Sequence, residues 1–352
     1  MNENLITHPG VLITFGIVVI AMLLLDLGVF NKKIHVISNK EAVLWSIVWI
    51  ALSMLFSVFI YYSAGLEKFS QFQAAYWIEK ALSVDNLFVF ILVFGFFNVP
   101  RELHHKALYW GIIGAIVLRA IFIFTGVGLV QLTYLPAFEV GDLKFVLDQT
   151  DKSQHADFST LTFFKPNVIL TLFGAFLIWA GIKSAFVEDD DDEQDFSKSP
   201  GAKVVHKFFT VSNDWAGGKF FTIENGKRLA TPLLVVVAVI EFTDLLFAVD
   251  SIPAIFAIAP NDPFILYTSN IFAILGLRAL YFLLANFIHL FSKLKYGLAF
   301  VLSFIGLKMI IAPFYHIESV YSLLIVLSAL ILSVVASLVF PEKEEEEATA
   351  EK

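Results

Sequence analysis

Nine stretches of this sequence are apolar for about as long as a bilayer is thick. A helix needs about 20 apolar residues to cross, and the runs lie at 11–30, 43–62, 74–97, 107–132, 167–186, 231–258, 264–290, 297–313 and 320–340. In 352 residues, that many spans leave little for a soluble domain. Composition agrees: 58% of residues are hydrophobic and only 16% charged, against about a quarter charged in an ordinary soluble domain. Backbone groups in lipid must be satisfied within the segment, so the expected fold is all-α, a polytopic bundle of about nine transmembrane helices. The run 11–30 is too long for a signal peptide and lacks a basic flank, so it is expected to stay as the first span.

Lysine and arginine set the orientation. The loops after the first, third, fifth and seventh runs, together with the tail, hold fifteen basic residues. The opposite side holds four: Lys68, Lys144, Lys152 and Lys165. This places the N-terminus outside and the C-terminus in the cytoplasm. Five cations fall inside runs: Lys80, Arg119, Lys183, Arg278 and Lys308. The three lysines sit near run ends, where they are expected to snorkel to the headgroups. The net charge of −8 comes largely from acidic patches at 188–195 and 342–347, which disfavours nucleic acid as a partner. With no cysteine, disulfides, thiolate metal sites and thiol redox chemistry are excluded.

An internal repeat is visible. Leu82-Ser-Val-Asp85-Asn86-Leu87 matches Phe247-Ala-Val-Asp250-Ser251-Ile252, and an acid stands six residues before each Asp, at Glu79 and Asp244. Each motif is followed by a run with a central arginine, Arg119 or Arg278, and then by a run ending in Gly181-Ile-Lys183 or Gly306-Leu-Lys308. A unit of three spans is odd, so its two copies cross the bilayer in opposite senses, the inverted-repeat plan of secondary transporters. The chain then divides into peripheral spans at 1–73, a first repeat at 74–187 with an outer loop at 135–166, an acidic cytoplasmic loop at 188–230, a second repeat at 231–313, and a last span with acidic tail at 314–352.

Six acids lie within runs: Asp26, Glu79, Asp85, Glu241, Asp244 and Asp250. An ionised carboxylate at the bilayer centre costs about 2.5–3.5 kcal/mol on insertion scales. Pairing of Asp85 and Asp250 with Arg119 and Arg278 accounts for one acid per half as a structural lock. The surplus acids point to a hydrated path or a cation site. Helical phase separates Glu241 and Asp244, which share a face, from Asp250 on the opposite side. Pro253 cannot donate to the carbonyl of Val249, so an unwound stretch around 248–253 is expected beside Asp250. Neutral oxygen donors lie close by in sequence: Ser83, Asn86, Thr243, Ser251 and Asn270. Such a set suits a hard divalent cation such as Mn²⁺, Mg²⁺ or Ca²⁺, and equally a proton relay. The histidines, His104 and His105 among them, are expected in solvated or interfacial positions. An enzyme is not expected, since neither Gly-x-Gly-Asp nor His-Glu-x-x-His occurs; nor is a bound cofactor.

With these motifs the sequence resembles the TerC/Alx family of integral membrane proteins. The similar segments are Leu25-Asp26-Leu27, the run from Ile78 to Phe90, Gly114 to Ala120, Glu241 to Ala254, Thr268 to Phe282 and Leu294 to Leu298. Asp-Ser-Ile-Pro-Ala and Ser-Asn-Ile-Phe-Ala-Ile-Leu-Gly-Leu-Arg are the specific stretches, and the long loops match least. The resemblance implies a bacterial multi-pass inner-membrane protein that exports Mn²⁺ as its substrate, with kinship to the LysE-type exporter superfamily. It maps the family's intramembrane acids onto Asp26, Glu79, Asp85, Glu241, Asp244 and Asp250. The competing reading is a membrane scaffold of the tellurite-resistance type that docks cytoplasmic partners through 188–230.

Overall fold

A computed structural model of the chain describes residues 13, 15–17, 19–21, 39–148, 154–186, 195–224, 226–287 and 293–340. Its bundle is built from α1 (Asn39–Phe96), α2 (Arg101–Leu132), α3 (Val168–Phe186), the short α4 (Pro200–Phe208), α5 (Pro232–Phe256), α6 (Pro263–Leu275), α7 (Leu277–Phe287), α8 (Leu294–Ile311) and α9 (Ser319–Val339). Six helices among the described residues are long and apolar enough to cross a membrane, or seven if the bent pair α6–α7 forms one span. Large apolar side chains cover the outside, with Leu55 66% and Leu132 82% exposed, as a lipid-facing surface requires.

α1 runs through 58 helical residues but is not one rod. Gly65 has φ 86° and ψ −178°, a region open almost only to glycine. In a straight helix, Ser57 and Gln73 would stand about 24 Å apart at 1.5 Å per residue. Yet Gln73 Nε2 donates to Ser57 Oγ at 2.8 Å. The rings of Phe56 and Phe72 lie 5.5 Å apart, and those of Tyr61 and Phe69 5.9 Å apart. Each pair straddles Gly65, so the helix doubles back there as an antiparallel hairpin. The apolar runs 43–62 and 74–97 are its two arms, and the stretch between them is helical up to the glycine rather than a loop.

Two further expectations change. α5 passes through Pro253 without unwinding and ends one turn later at Phe256. A proline this close to a helix end removes one donor and leaves the rest of the ladder intact. The break lies instead in the next span, where α6 and α7 meet at Gly276 with a bend of 42°. The loops also depart from an all-α plan. The segment before α3 holds a three-stranded sheet of β1 (Phe138–Val140), β2 (Leu143–Leu147) and β3 (Thr162–Phe164), antiparallel then parallel. Its rings pack together, with Phe138–Phe145 at 4.9 Å and Phe163–Phe314 at 5.2 Å, and Phe164 N–H donates to the Pro313 carbonyl at 3.0 Å. Between α4 and α5, β4 (Phe221–Glu224) and β5 (Lys227–Ala230) form an antiparallel hairpin. Short alternating aromatic runs such as Phe138-Glu-Val suit pleated pairing, which a reading for long apolar helices passes over.

A close backbone approach at glycines on both helices joins α3 to α8. A Cβ on Gly306 would stand 2.5 Å from the Gly174 carbonyl oxygen, and one on Gly181 would stand 2.6 Å from the Ala299 carbonyl oxygen. Early residues of α3 meet late residues of α8, so the two run antiparallel. Small residues at such a crossing let backbones touch, which drives helix packing where no hydrophobic effect separates helix from lipid.

Candidate ion site in the membrane

Arg119 is the centre of the site. It projects from α2 along a buried stripe that also carries Leu108, Gly111, Ala115, Ile123 and Val127. The residue is 0% exposed. Its Nη1 is paired with Glu79 Oε1 from the second arm of α1. Nη2 and Nε reach Asp244 Oδ1 and Oδ2 on α5 at 3.1 and 3.4 Å, a forked contact. Glu79 and Asp244 are the repeat-matched acids, so one arginine bridges both halves of the sequence. Burying a charge is tolerated when it is paired and hydrogen-bonded, and this arginine meets that condition with two carboxylates.

A third acid lies alongside. Glu241, one turn before Asp244, rests against α2 at Gly114, where any Cβ would overlap its carboxylate. When ionised, Glu79 and Asp244 therefore already outnumber the one guanidinium, and Glu241 adds a third carboxylate one helical turn away. Glu79 Oε2 and Glu241 Oε2 are buried without a hydrogen-bond partner among the described residues, as are Ser83 Oγ, Ser251 Oγ and both amide atoms of Asn270. Glu79, Ser83 and Asn86 line one face of their helix at spacings of four and three, and Asp244 and Ser251 line one face of α5, all of them buried. Thr243 is satisfied, donating to the Val239 carbonyl at 2.8 Å. Asp244 also borders a cavity of about 20 Å³ together with Leu87, Ile112, Ile274 and Arg278, roomy enough for about one water.

The expected ligand set is thus partly reassigned. Glu79 and Asp244 are ion-paired, Glu241 is held at Gly114, and Asn86 is buried on the Glu79 face. Asp26 lies outside the described residues, as do the side chains of Asp85 and Asp250. Among the described residues, no three His, Cys, Asp or Glu side chains converge as a metal cage. The lysines do not all snorkel. Lys80 is buried and donates to the Ala273 carbonyl at 3.2 Å, with its ammonium at the Gly276 bend. Lys308 is buried and donates to Ser322 Oγ at 2.8 Å. Lys183 is exposed, 5.4 Å from the Trp179 ring centre.

Arg278, the repeat partner of Arg119, is 1% exposed and lies 3.0 Å from His105 Nε2. Next to it, His104 Nδ1 is 3.1 Å from the Tyr281 hydroxyl and its ring stacks on Phe94 at 4.3 Å. The two histidines are half-buried bundle residues rather than solvated ones. Helical phase carried the signal: His104 falls in step with Leu108, Gly111, Ala115 and Arg119.

The profile of the integral membrane protein TerC family matches residues 64–345. An uncharacterized membrane protein of Myxococcus xanthus is 40% identical over 331 residues, covering 94% of this chain and 92% of its own length. A proposed membrane-bound redox modulator, Alx, of Salmonella typhi is 40% identical over 330 residues, 91% of each chain. Its namesake in Escherichia coli K12 is 40% identical over 328 residues, again 91% of each. No solved structure matches. The long apolar helices, the buried acid–arginine cluster and these relatives agree: the chain belongs to the TerC family of integral membrane proteins.

Proposed function

We propose that this protein is a secondary transporter that moves Mn²⁺ out of the cytoplasm through the carboxylate cluster around Arg119. The observation that carries the reading is the surplus of buried oxygen. Two acids grip one arginine with a third acid a helical turn away, and six buried polar atoms of Glu79, Ser83, Glu241, Ser251 and Asn270 have no hydrogen-bond partner among the described residues. Unpartnered groups at this depth are costly, and a mobile cation or its hydration water relieves them. Oxygen-only donors suit a hard divalent ion, and the family resemblance selects manganese. Asp85 and Asp250 complete the ligand set in this reading.

The architecture we infer has nine passes. The two arms of α1 with α2, α3, α5, α6–α7, α8 and α9 give eight, and the run 11–30 adds the ninth. Exchange of contacts supports the inverted repeat: aligning Gly181-Ile-Lys183 with Gly306-Leu-Lys308 turns the Gly181–Ala299 contact into the Gly306–Gly174 contact. A two-fold relation makes contacts of this reciprocal kind. Export then follows from rocking of one repeat against the other in an inner membrane, with the N-terminus outside and the C-terminus inside. No nucleotide-binding motif is present, so a proton or potential gradient supplies the energy. The redox role in the relatives' name has no thiol to act through here; we read any redox effect as a consequence of metal balance.

The test is metal flux in proteoliposomes under an imposed pH gradient. Saturable Mn²⁺ movement, lost in Asp85→Asn and Asp250→Asn, is expected. Folded protein that moves no cation, or variants that transport as well as the wild type, would sink the reading. One observation favours docking as a second role: Val204, Phe208 and Ile223 are 56%, 70% and 76% exposed in the 195–230 segment. Phe208→Ser with Ile223→Ser leaves flux intact and removes partner capture if that segment is a docking surface.

A further inference from the structure

The cavity beside Asp244 is enclosed by three elements that meet again beyond it. Phe90 on the second arm of α1, Leu108 on α2 and Arg278 on α7 all line it. One turn further toward the end that carries Arg101 and Lys106, each element presents its next residue on the same face: Phe94, His104 and Tyr281. These three close on one another. The Phe94 ring stacks on His104 at 4.3 Å and stands edge-on to Tyr281 at 5.5 Å, and the Tyr281 hydroxyl lies 3.1 Å from His104 Nδ1. Phe94 and Tyr281 are only 2% and 3% exposed.

The bonding of this plug is directional. A carbonyl only accepts, so His104 Nε2, 3.0 Å from the Val99 carbonyl oxygen, donates to it, and Nδ1 of the neutral ring accepts the Tyr281 O–H. An imidazole and a hydroxyl that part can each bond water instead, so separating them costs far less than exposing an all-apolar layer of the same size. α7 reaches the plug beyond the 42° bend at Gly276. A change in that bend carries Tyr281 and Arg278 together away from α2. The cavity behind the plug, about 20 Å³, has room for about one water.

We propose that Phe94, His104 and Tyr281 form the inner gate of the ion site, a plug that separates Asp244 and its cavity from the cytoplasm and parts to admit the ion. What passes rests on the transporter reading; where the way is closed rests on the packing of the three side chains. An ion that keeps any of its hydration shell is larger than the cavity, so it reaches Asp244 from this end only when the plug opens. The lysine and arginine bias places this end in the cytoplasm.

The chain has no cysteine, so one introduced thiol reports access without background. Ala115→Cys puts a thiol on the cavity wall. Its rate of reaction with a membrane-impermeant cationic methanethiosulfonate is measured on the full chain in inside-out and right-side-out vesicles, without manganese. Glu102→Cys, exposed beyond the plug, marks the face on which the plug lies and should react in inside-out vesicles. Ala115→Cys should react slowly while the plug is intact. Tyr281→Phe removes only the hydroxyl and should raise that rate about fivefold, the worth of one net hydrogen bond. Phe94→Ala removes two of the three contacts and should raise it further. Should Phe94→Ala fail to fold, Tyr281→Phe keeps the ring and carries the test. Unchanged labelling in the folded variants, or fast labelling with the plug intact, makes the three side chains fixed packing and overturns the proposal. Labelling of either cysteine from the outer face alone overturns it too. Because manganese is absent, a protein that gates its cavity but moves no cation in proteoliposomes would sink the transporter reading and leave the gate standing.

Discussion

The two halves of the chain agree at one place and disagree at another. Along the α3–α8 contact they mirror each other: Gly181 presses on Ala299 as Gly306 presses on Gly174. At the arginines they part. Arg119 is gripped by Glu79 and Asp244, one acid from each half, and Arg278 lies against the imidazole of His105, a kind of partner that Arg119 does not have among the described residues. A mirrored contact is the same in any state that exchanges the halves, so it is a fixed support. In the transporter proposed above, an unmatched contact differs between such states, so the arginine layer would be its moving part and the α3–α8 seam its scaffold.

Removing the grip should have the largest effect. Arg119→Ala leaves two buried carboxylates without their cation, and loss of about 3–5 kcal/mol is expected for one partner of a buried ion pair. Arg278→Ala removes the guanidinium held by His105 rather than one gripped as Arg119 is and should show a different loss, and thermal unfolding in matched nanodiscs compares them. Equal losses would break the asymmetry. Next come the seam glycines: Gly181→Ala and Gly306→Ala each force an overlap with backbone and should cost about 1–3 kcal/mol. If the contact is mirrored, their melting shifts agree; a twofold discrepancy counts against the repeat. Gly114→Ala displaces the Glu241 carboxylate, at a cost near the lower end of the same range of about 1–3 kcal/mol. Its Mn²⁺ flux should fall further than its stability does, and unchanged flux would remove Glu241 from the path. His105→Leu takes the imidazole from Arg278, and the loss of that hydrogen bond should cost about 0.5–1.5 kcal/mol. A loss as large as that of Arg119→Ala would place His105 on a par with the carboxylates.

That the chain is a bundle of membrane-crossing helices was written plainly in the apolar runs, because a bilayer demands a fixed length of apolar helix. Glu79, Arg119 and Asp244 were equally legible, since intramembrane charges have few other reasons to exist. Their partnership was not. The lock considered for the two arginines drew on Asp85 and Asp250, whose side chains lie outside the described residues; that Glu79 and Asp244 reach Arg119 depends on how three helices rotate against each other, and periodicity within each helix does not contain that. Pro253 misled for a related reason. Its effect depends on distance from the helix end, and α5 ends one turn beyond it. Gly276 and Gly65 mark the real departures from straight helix. Both are single glycines in long apolar stretches, where packing and backbone angles decide between tolerance and a break. The short strands were missed because three or four residues of alternating pattern carry little weight beside runs of twenty.

The outer loop belongs in sequence to the first repeat, yet Phe164 bonds to Pro313 and the rings of Phe145 and Phe163 pack on Phe314, all beyond the last helix of the second. The loop is a strap sewn across the boundary between the halves. Any sliding at that end of the bundle reaches this knot of rings as shear, far from the buried acids. A fluorophore or a crosslink placed there gives a handle on any such sliding, away from the buried acids around Arg119.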